Sequence, residues 1–322
     1  MPEIRGLLLR TYQSLKDLEG IAKVHEGCAV ADCIDADSTL ENIPTVINLE
    51  NQLNDSHRVP ASDILITEID NQIVGYAQVG WWTETDGTRL HIIQGHLLPA
   101  FRNRGIGMAQ LQWAEKRSLE ISKELASAKR IFFGSNASSV QHDRINLLED
   151  NGYKWIFSLV EMANNNLNAI KTSAVPEGFT LRPVEQMHIR TIWEANNAVY
   201  KGRDFISEPT EEEYEEFANC AENDFTLWQV AWHGSRVAGF VLSKIVNGRG
   251  EILQVSVLPD FRKKGLGEAL MKENIQSLKR KGINRARLHT SGENVAGALG
   301  LYKKVGFEEV KKFNRYRKPF PV

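Results

Sequence analysis

Apolar positions along the chain follow two rhythms. Short runs with every second residue apolar, or with a compact apolar block, read as strands. Longer stretches with apolar residues three and four apart read as helices. The second half shows both most clearly. A short strand, FTLRPV (179–184), leads into a helix, MHIRTIWEANNAVY (187–200). A further helix is expected over SEPTEEEYEEFANC (207–220), because Pro209-Thr210-Glu211 suits a first turn. Hairpin strands follow over 225–246, then a strand, GEILQVSVL (250–258). The helix GEALMKENIQSLKRKG (267–282) places Leu270, Ile275 and Leu278 at helical spacing and stops at Gly282. A strand (285–291), a helix (294–306) and a last strand (307–319) complete the series. The first half repeats its opening, with a strand GLLLRTY (6–12) and a helix LKDLEGIAKVHEGC (15–28). Hairpins first, then strand–helix–strand–helix–strand, predict an α/β fold of the α+β type with a mixed central sheet.

The halves also match residue by residue. LLPAFRNRGIG (97–107) and VLPDFRKKGLG (257–267) share Leu, Pro, Phe, Arg, Gly and Gly at one offset of 160, which also links Gln94 to Gln254. IDNQIVGYAQV (69–79) resembles WHGSRVAGFVL (232–242), and LLEDNGY (147–153) resembles LYKKVGF (301–307), a helix end closed by glycine before an aromatic. The Asn cluster and Pro-Glu-Gly within 162–179 mark a boundary. We expect two copies of one domain, 1–165 and 172–322, joined by a linker at 166–171.

Composition narrows the class. Of the 322 residues 42% are apolar and 25% charged, and the formal net charge is −2, so no strong field draws the chain to nucleic acid or membrane. No stretch reads as a secretory signal or a membrane span. Cys28, Cys33 and Cys220 are too few and too scattered for a disulfide framework, and with His25 and His57 they fit no zinc spacing. A cytoplasmic protein without a metal is expected, as a monomer or homodimer.

The repeated loop carries the chemistry. It lies after a strand and before a helix, where unpaired N–H groups and the helix dipole attract anions. Gly265 and Gly267 permit positive φ and close approach of backbone, and Arg262 adds a two-pronged cation. Pyrophosphate suits this arrangement. A Walker loop would need Gly-Lys-Ser/Thr, and a dinucleotide fingerprint a third glycine; neither is present.

VSVLPDFRKKGLGEALM, SGENVAGALGLYKKVGF and RYRKP together resemble the GNAT superfamily of acyl-CoA-dependent N-acetyltransferases. The resemblance covers essentially the whole second half and, less fully, the first, through LLPAFRNRGIGMAQL and LLEDNGY. A tandem of this kind resembles mycothiol synthase and related two-domain enzymes. The resemblance implies acetyl-CoA as co-substrate. Its pyrophosphate would rest on Arg262, Lys263, Lys264, Gly265, Leu266, Gly267 and the amide of Glu268, and in the first copy on Arg102, Asn103, Arg104, Gly105, Ile106 and Gly107. The backbone around Val257 would pair with the pantetheine arm, and its N–H would face the developing oxyanion. Asn294 belongs to the family's Asn-x-x-Ala run, with Ala298 slightly displaced.

Acetyl transfer to an amine needs a base, an oxyanion donor and a proton for the leaving thiolate. Tyr302 is the candidate acid, since a phenol can protonate a departing thiolate. Glu251 is the candidate base; strict alternation would put Glu251, Leu253, Val255 and Val257 on one face. In the first copy the counterparts are His91 and Leu148. Leucine cannot donate a proton, so catalysis is expected in the second copy and the first reads as degenerate. The acceptor would be a small-molecule or peptide amine, with contacts from KGRDF (201–205) by resemblance. The rivals are a non-catalytic acyl-CoA sensor or scaffold, a transferase of another acyl group, and a mycothiol synthase-like enzyme.

Overall fold

The computed structural model describes residues 4–53, 59–200, 209–221, 223–293 and 297–321. They form two compact units: Met1–Ser158 with Lys312–Val322, and Leu159–Lys311. Two segments thus change places relative to the expected 1–165 and 172–322. Residues 159–165 belong to the second unit and 312–322 to the first.

The first unit contains β1 (Leu7–Thr11), α1 (Lys16–Cys28), α2 (Val46–Gln52), α3 (Pro60–Asp63), β2 (Ile64–Ile69), β3 (Gln72–Thr83) and β4 (Thr88–Leu97). After these come α4 (Ile106–Glu124), β5 (Arg130–Ser138), α5 (His142–Asp150) and the start of β6 (Lys154–Asn164). Its strands pair in the order β1-β2-β3-β4-β5, antiparallel except for the parallel β4–β5 pair. The chain's last strand, β12 (Glu308–Pro319), then adds residues 313–319 antiparallel to β5.

The second unit takes residues 159–164 of β6, then β7 (Thr180–Arg182), α6 (Ile189–Tyr200), α7 (Glu211–Asn219), β8 (Gln229–His233) and β9 (Arg236–Val246). β10 (Arg249–Val257), α8 (Leu266–Arg280), β11 (Ala286–Ser291) and α9 (Ala298–Lys304) follow. Its strand order is β6-β11-β10-β9-β8-β7, again with one parallel pair, β10–β11. The sheet is mixed in both units, as the element series predicted.

Local chemistry explains the ends of these elements. Thr210, rather than Pro209, caps α7: its hydroxyl accepts from the Glu213 amide at 3.2 Å, while the Glu213 carboxylate accepts from the Thr210 N–H at 2.8 Å. Helix α5 closes with Tyr153 N–H on Leu148 C=O (3.1 Å) and Gly152 N–H on Glu149 C=O (3.0 Å). Helix α9 closes identically, with Phe307 on Tyr302 (2.9 Å) and Gly306 on Lys303 (3.0 Å). The aromatic after each glycine is buried.

Along α8, Leu266, Leu270, Ile275 and Leu278 are at most 1% exposed and anchor the second core. Each such side chain contributes about 1.5–3 kcal/mol. The expected linker is not a free tether. Leu167 is fully buried in that core and its N–H donates to Asn284 C=O at 2.9 Å. Two apolar residues, Leu167 and Ile170, anchor it there.

Candidate functional site

The two glycine loops have one conformation. A single 3-10 turn, Pro99–Phe101 or Pro259–Phe261, closes on the following arginine. The Arg102 Nε donates to Leu97 C=O (3.0 Å) and the Arg262 Nε to Val257 C=O (2.9 Å). Asn103 and Lys263 have φ of 57° and 59°, Gly105 and Gly265 of 81° and 79°. The glycine is the N-cap of α4 or α8 and offers no side chain, so the first-turn amides stay available. A side chain added at Gly107 would meet Leu147 Cδ2 at 3.3 Å; at Gly267 it would meet Leu301 Cδ2 at 3.3 Å. Leu147 and Leu301 therefore correspond, and Leu148 with Tyr302, as the match of LLEDNGY with LYKKVGF implies.

The loops differ in charge. Arg102 is held by a two-pronged ion pair to Asp32, at 2.7 and 2.9 Å. Among the described residues Arg262, Lys263 and Lys264 have no carboxylate within ion-pair distance. The Glu268 side chain turns to Lys272 (2.7 Å) and Lys304 (2.5 Å), whose hydrogen bonds hold its carboxyl below the usual range. Its carboxylate is thus engaged by two lysines.

Beside each loop a pair of parallel strands separates. In the first unit β4 and β5 stay paired through Ile93–Ser135. In the second, pairing of β10 with β11 ends two residues sooner, at Glu251–Arg287. The cause is a β-bulge: the β9–β10 register shifts between Ile252 and Gln254, and Leu253 is left unmatched and 40% exposed. The bulge also overturns the simple alternation, so Glu251, Leu253, Val255 and Val257 do not form one regular face. Glu251 is placed at the point of separation, with its carboxylate 3.2 Å from Arg249 Nη1.

Register fixes what the separated edges offer. Leu258 N–H donates to Ala238 C=O. The even-numbered residues of β10 beyond the bulge therefore bond to β9, and Val255 and Val257 turn their N–H and C=O to the side β11 has left. In the first unit Leu98 N–H donates to Val74 C=O, so Gly95 and Leu97 face the corresponding opening. There the edge is already occupied: Arg144 Nη1 donates to the Gly95 carbonyl. Arg144 corresponds to Ala298, which has no such group.

Tyr302 is buried on α9, beside Leu301. Asn294 and KGRDF (201–205) lie outside the described residues. His91, opposite Phe133 and with its ring tilted against Phe320 at 4.9 Å, is fully buried with neither ring nitrogen hydrogen-bonded. Burial, then the charge of Arg89, lowers its pKa to about 4.

Sequence reasoning missed a polar group in the first unit. Two clefts, of about 610 and 480 Å3, meet along Asp32, Gln94, His96, Gln141 and Arg144. The larger reaches the Gly105 loop. In the other, His25 Nε2 is 2.7 Å from the Tyr76 hydroxyl, and the Tyr76 and His96 rings stack at 5.3 Å. Burial lowers His25 to about 4 and His96 well below its ordinary value, so both imidazoles are neutral at pH 7. These residues are far apart in sequence and meet because Tyr76 and His96 are cross-strand partners.

A family model described as Acetyltransferase (GNAT) family matches residues 34–153 and again 191–307. Mycothiol acetyltransferase of Geodermatophilus obscurus is 25% identical over 283 residues, which span 80% of this chain and 83% of that enzyme. Ribosomal protein bS18-alanine N-acetyltransferase of Escherichia coli is 29% identical over 93 residues, 29% of this chain and 62% of that one. Among solved structures, a GCN5-related N-acetyltransferase from Sphaerobacter thermophilus superposes with a TM-score of 0.78 at 20% identity, covering 100% of this chain and 98% of that chain. A tandem GNAT protein from the clavulanic acid biosynthesis pathway gives 0.66 at 14% identity, covering 98% and 99%. Both likenesses concern the fold.

Proposed function

The chain belongs to the GNAT acetyltransferase family, and from that premise we propose that its second unit moves the acetyl group of acetyl-CoA to a primary amine by direct attack in a ternary complex. One observation carries the choice of unit. Val255 and the Val257 N–H face the side β11 has left, beside a loop whose three cations have no carboxylate partner among the described residues, whereas in the first unit Arg144 takes the Gly95 carbonyl and Asp32 pairs with Arg102. The amides of Gly265, Leu266, Gly267 and Glu268, with Arg262, Lys263 and Lys264, would hold the pyrophosphate. Arg102, Asn103, Arg104, Gly105, Ile106 and Gly107 offer a weaker copy of that cradle. The acyl thioester supplies the electrophile. Val257 N–H would stabilise the oxyanion, Glu251 would take the amine proton through a water, and Tyr302 would protonate the thiolate. The relatives named for mycothiol and for a ribosomal protein acetylate chemically different amines, and the acceptor here stays open between a small molecule and a peptide.

The test is CoA release across an amine library, with Tyr302→Phe and Glu251→Gln. Each substitution should lower kcat by about tenfold or more with little change in the KM of acetyl-CoA. Unchanged turnover in both would remove these roles. Binding of acetyl-CoA without CoA release from any amine would favour a sensor.

A further inference from the structure

The smaller cleft of the first unit is lined by two arginines, Arg144 and Arg315, that have no carboxylate within ion-pair distance among the described residues. Arg315, on β12, lies opposite Asn136 of β5, and Phe313 lies opposite Ser138. Two-residue alternation puts these four side chains on one face, and all four line the cleft. The Arg315 guanidinium is half-buried and, among the described residues, makes one long hydrogen bond, 3.4 Å to the Phe313 carbonyl, with no carboxylate within ion-pair distance. Arg144, where this cleft meets the larger one, bonds only to the Gly95 carbonyl and, at 3.3 Å, the Ser135 hydroxyl; its Nε is sealed from solvent without a partner. Ser138, 4% exposed, has a hydroxyl without a hydrogen-bond partner. Two acids also line the cleft. Asp32 is taken by Arg102, and Glu41 accepts the Asp35 amide at 3.1 Å.

Buried cations are ordinarily paired, and buried hydroxyls bonded, because removing either from water is costly. Burial lowers the proton affinity of both arginines; the charge of Asp32 partly opposes this at Arg144, whereas burial is the sole cause at Arg315, the mark of a desolvated charge without a counter-ion. A guanidinium matches a planar carboxylate with two parallel hydrogen bonds. The other walls, His25, Tyr76 and His96, are uncharged donors and acceptors suited to a small polar molecule. We propose that this cleft binds a small organic carboxylate of amino-acid size, its carboxylate held by Arg315 and the Ser138 hydroxyl with Arg144 at the inner end. This site is separate from the transfer site proposed for the second unit and does not depend on it.

The experiment uses the full chain without acetyl-CoA and reads saturation-transfer NMR and thermal shift. The probes are proteinogenic amino acids, the carboxamide of each, and inorganic phosphate. Some of the carboxylates should bind, with their carboxamides at least about tenfold weaker, as expected when an ion pair of this kind is lost. Arg315→Gln should weaken binding by a similar factor, and Arg315→Lys by less. Arg262→Gln, in the other unit, should leave it unchanged. The comparison of acid with amide on the wild-type chain decides the matter even if an Arg315 variant fails to fold. Equal binding of acid and amide, phosphate binding without carboxylate binding, no binding of any probe, or full affinity in folded Arg315→Gln would each overturn the proposal.

Discussion

Arg102 and Asp32 form a two-pronged ion pair, whereas Arg262, in the same position of the second loop, has no carboxylate partner among the described residues. One loop arginine is spent on the fold and the other is available to a ligand. Arg102→Gln should therefore act on stability. It strands a 6% exposed carboxylate, at a cost of about 2–3 kcal/mol, somewhat under that of a fully buried pair because Arg102 is 19% exposed. Arg262→Gln should leave the melting temperature nearly unchanged and raise the KM for acetyl-CoA about tenfold. Calorimetry and steady-state kinetics on the two variants check both halves. Equal effects on both readouts would mean that the loops are not divided in this way.

The glycine N-caps make a second contrast. Gly265 has φ of 79° yet open space around it, the nearest atom to an added Cβ being Pro176 Cγ at 3.9 Å. Alanine there meets no clash and bears the left-handed backbone cost alone, about 1–2 kcal/mol. The second unit should lose roughly 2–4 °C of melting temperature per kcal/mol. Gly267 has an ordinary φ, and its added Cβ would meet only side-chain carbons at 3.3 and 3.5 Å. Gly267→Ala should fold with a smaller loss. Thermal unfolding orders the two variants, and a larger loss for Gly267→Ala would contradict this reading.

Sequence alone was informative where local chemistry decides structure. Gly152, Gly282 and Gly306 as helix ends, the paired loops and the mixed sheet followed from spacing and turn chemistry. Features set by tertiary pairing were not legible. Residues 308–319 read as a strand, but nothing in them says which sheet they join; the pairing of Phe313–Pro319 with β5 decides that. The bulge at Leu253 has no glycine or proline to announce it, so the regular alternation expected from Glu251 to Val257 was broken without a signal. His25, Tyr76 and His96 meet through a helix packed on a hairpin, and Arg144 and Arg315 share a cleft although 171 positions apart.

Protons should destabilise the first unit selectively through its histidines. His25 and His91 titrate near 4 in the folded state, and His96 well below its ordinary value, because burial disfavours their charged forms. Unfolded histidine titrates near 6.5. Between about 6.5 and 4 the unfolded chain takes up protons that the folded unit refuses, so stability falls as pH falls through that window and is unaffected by these groups above it. His91→Phe, beside Phe320, removes one of the three. Its melting temperature should drop less than that of wild type between pH 7.5 and pH 5. An unaltered drop would show that His91 is not held neutral by burial.

Removing the C-terminus should damage the far end of the sequence. Residues 312–322 belong to the first unit, where Phe313–Pro319 pair with Phe132–Ser138. Tyr316 is 3% exposed in the first core, Lys318 reaches the Glu115 carboxylate at 2.8 Å, and Arg317 pairs with Glu84. A chain ending at Lys311 leaves β5 with an unpaired edge and exposes apolar surface of the first core, while residues 159–311 keep their strands and core. Hydrogen exchange should then quicken across residues 64–97 and 130–138 and change little across 229–291. The opposite pattern, with loss of protection in the second unit and retention in the first, would mean that the last strand stabilises the domain it follows in sequence.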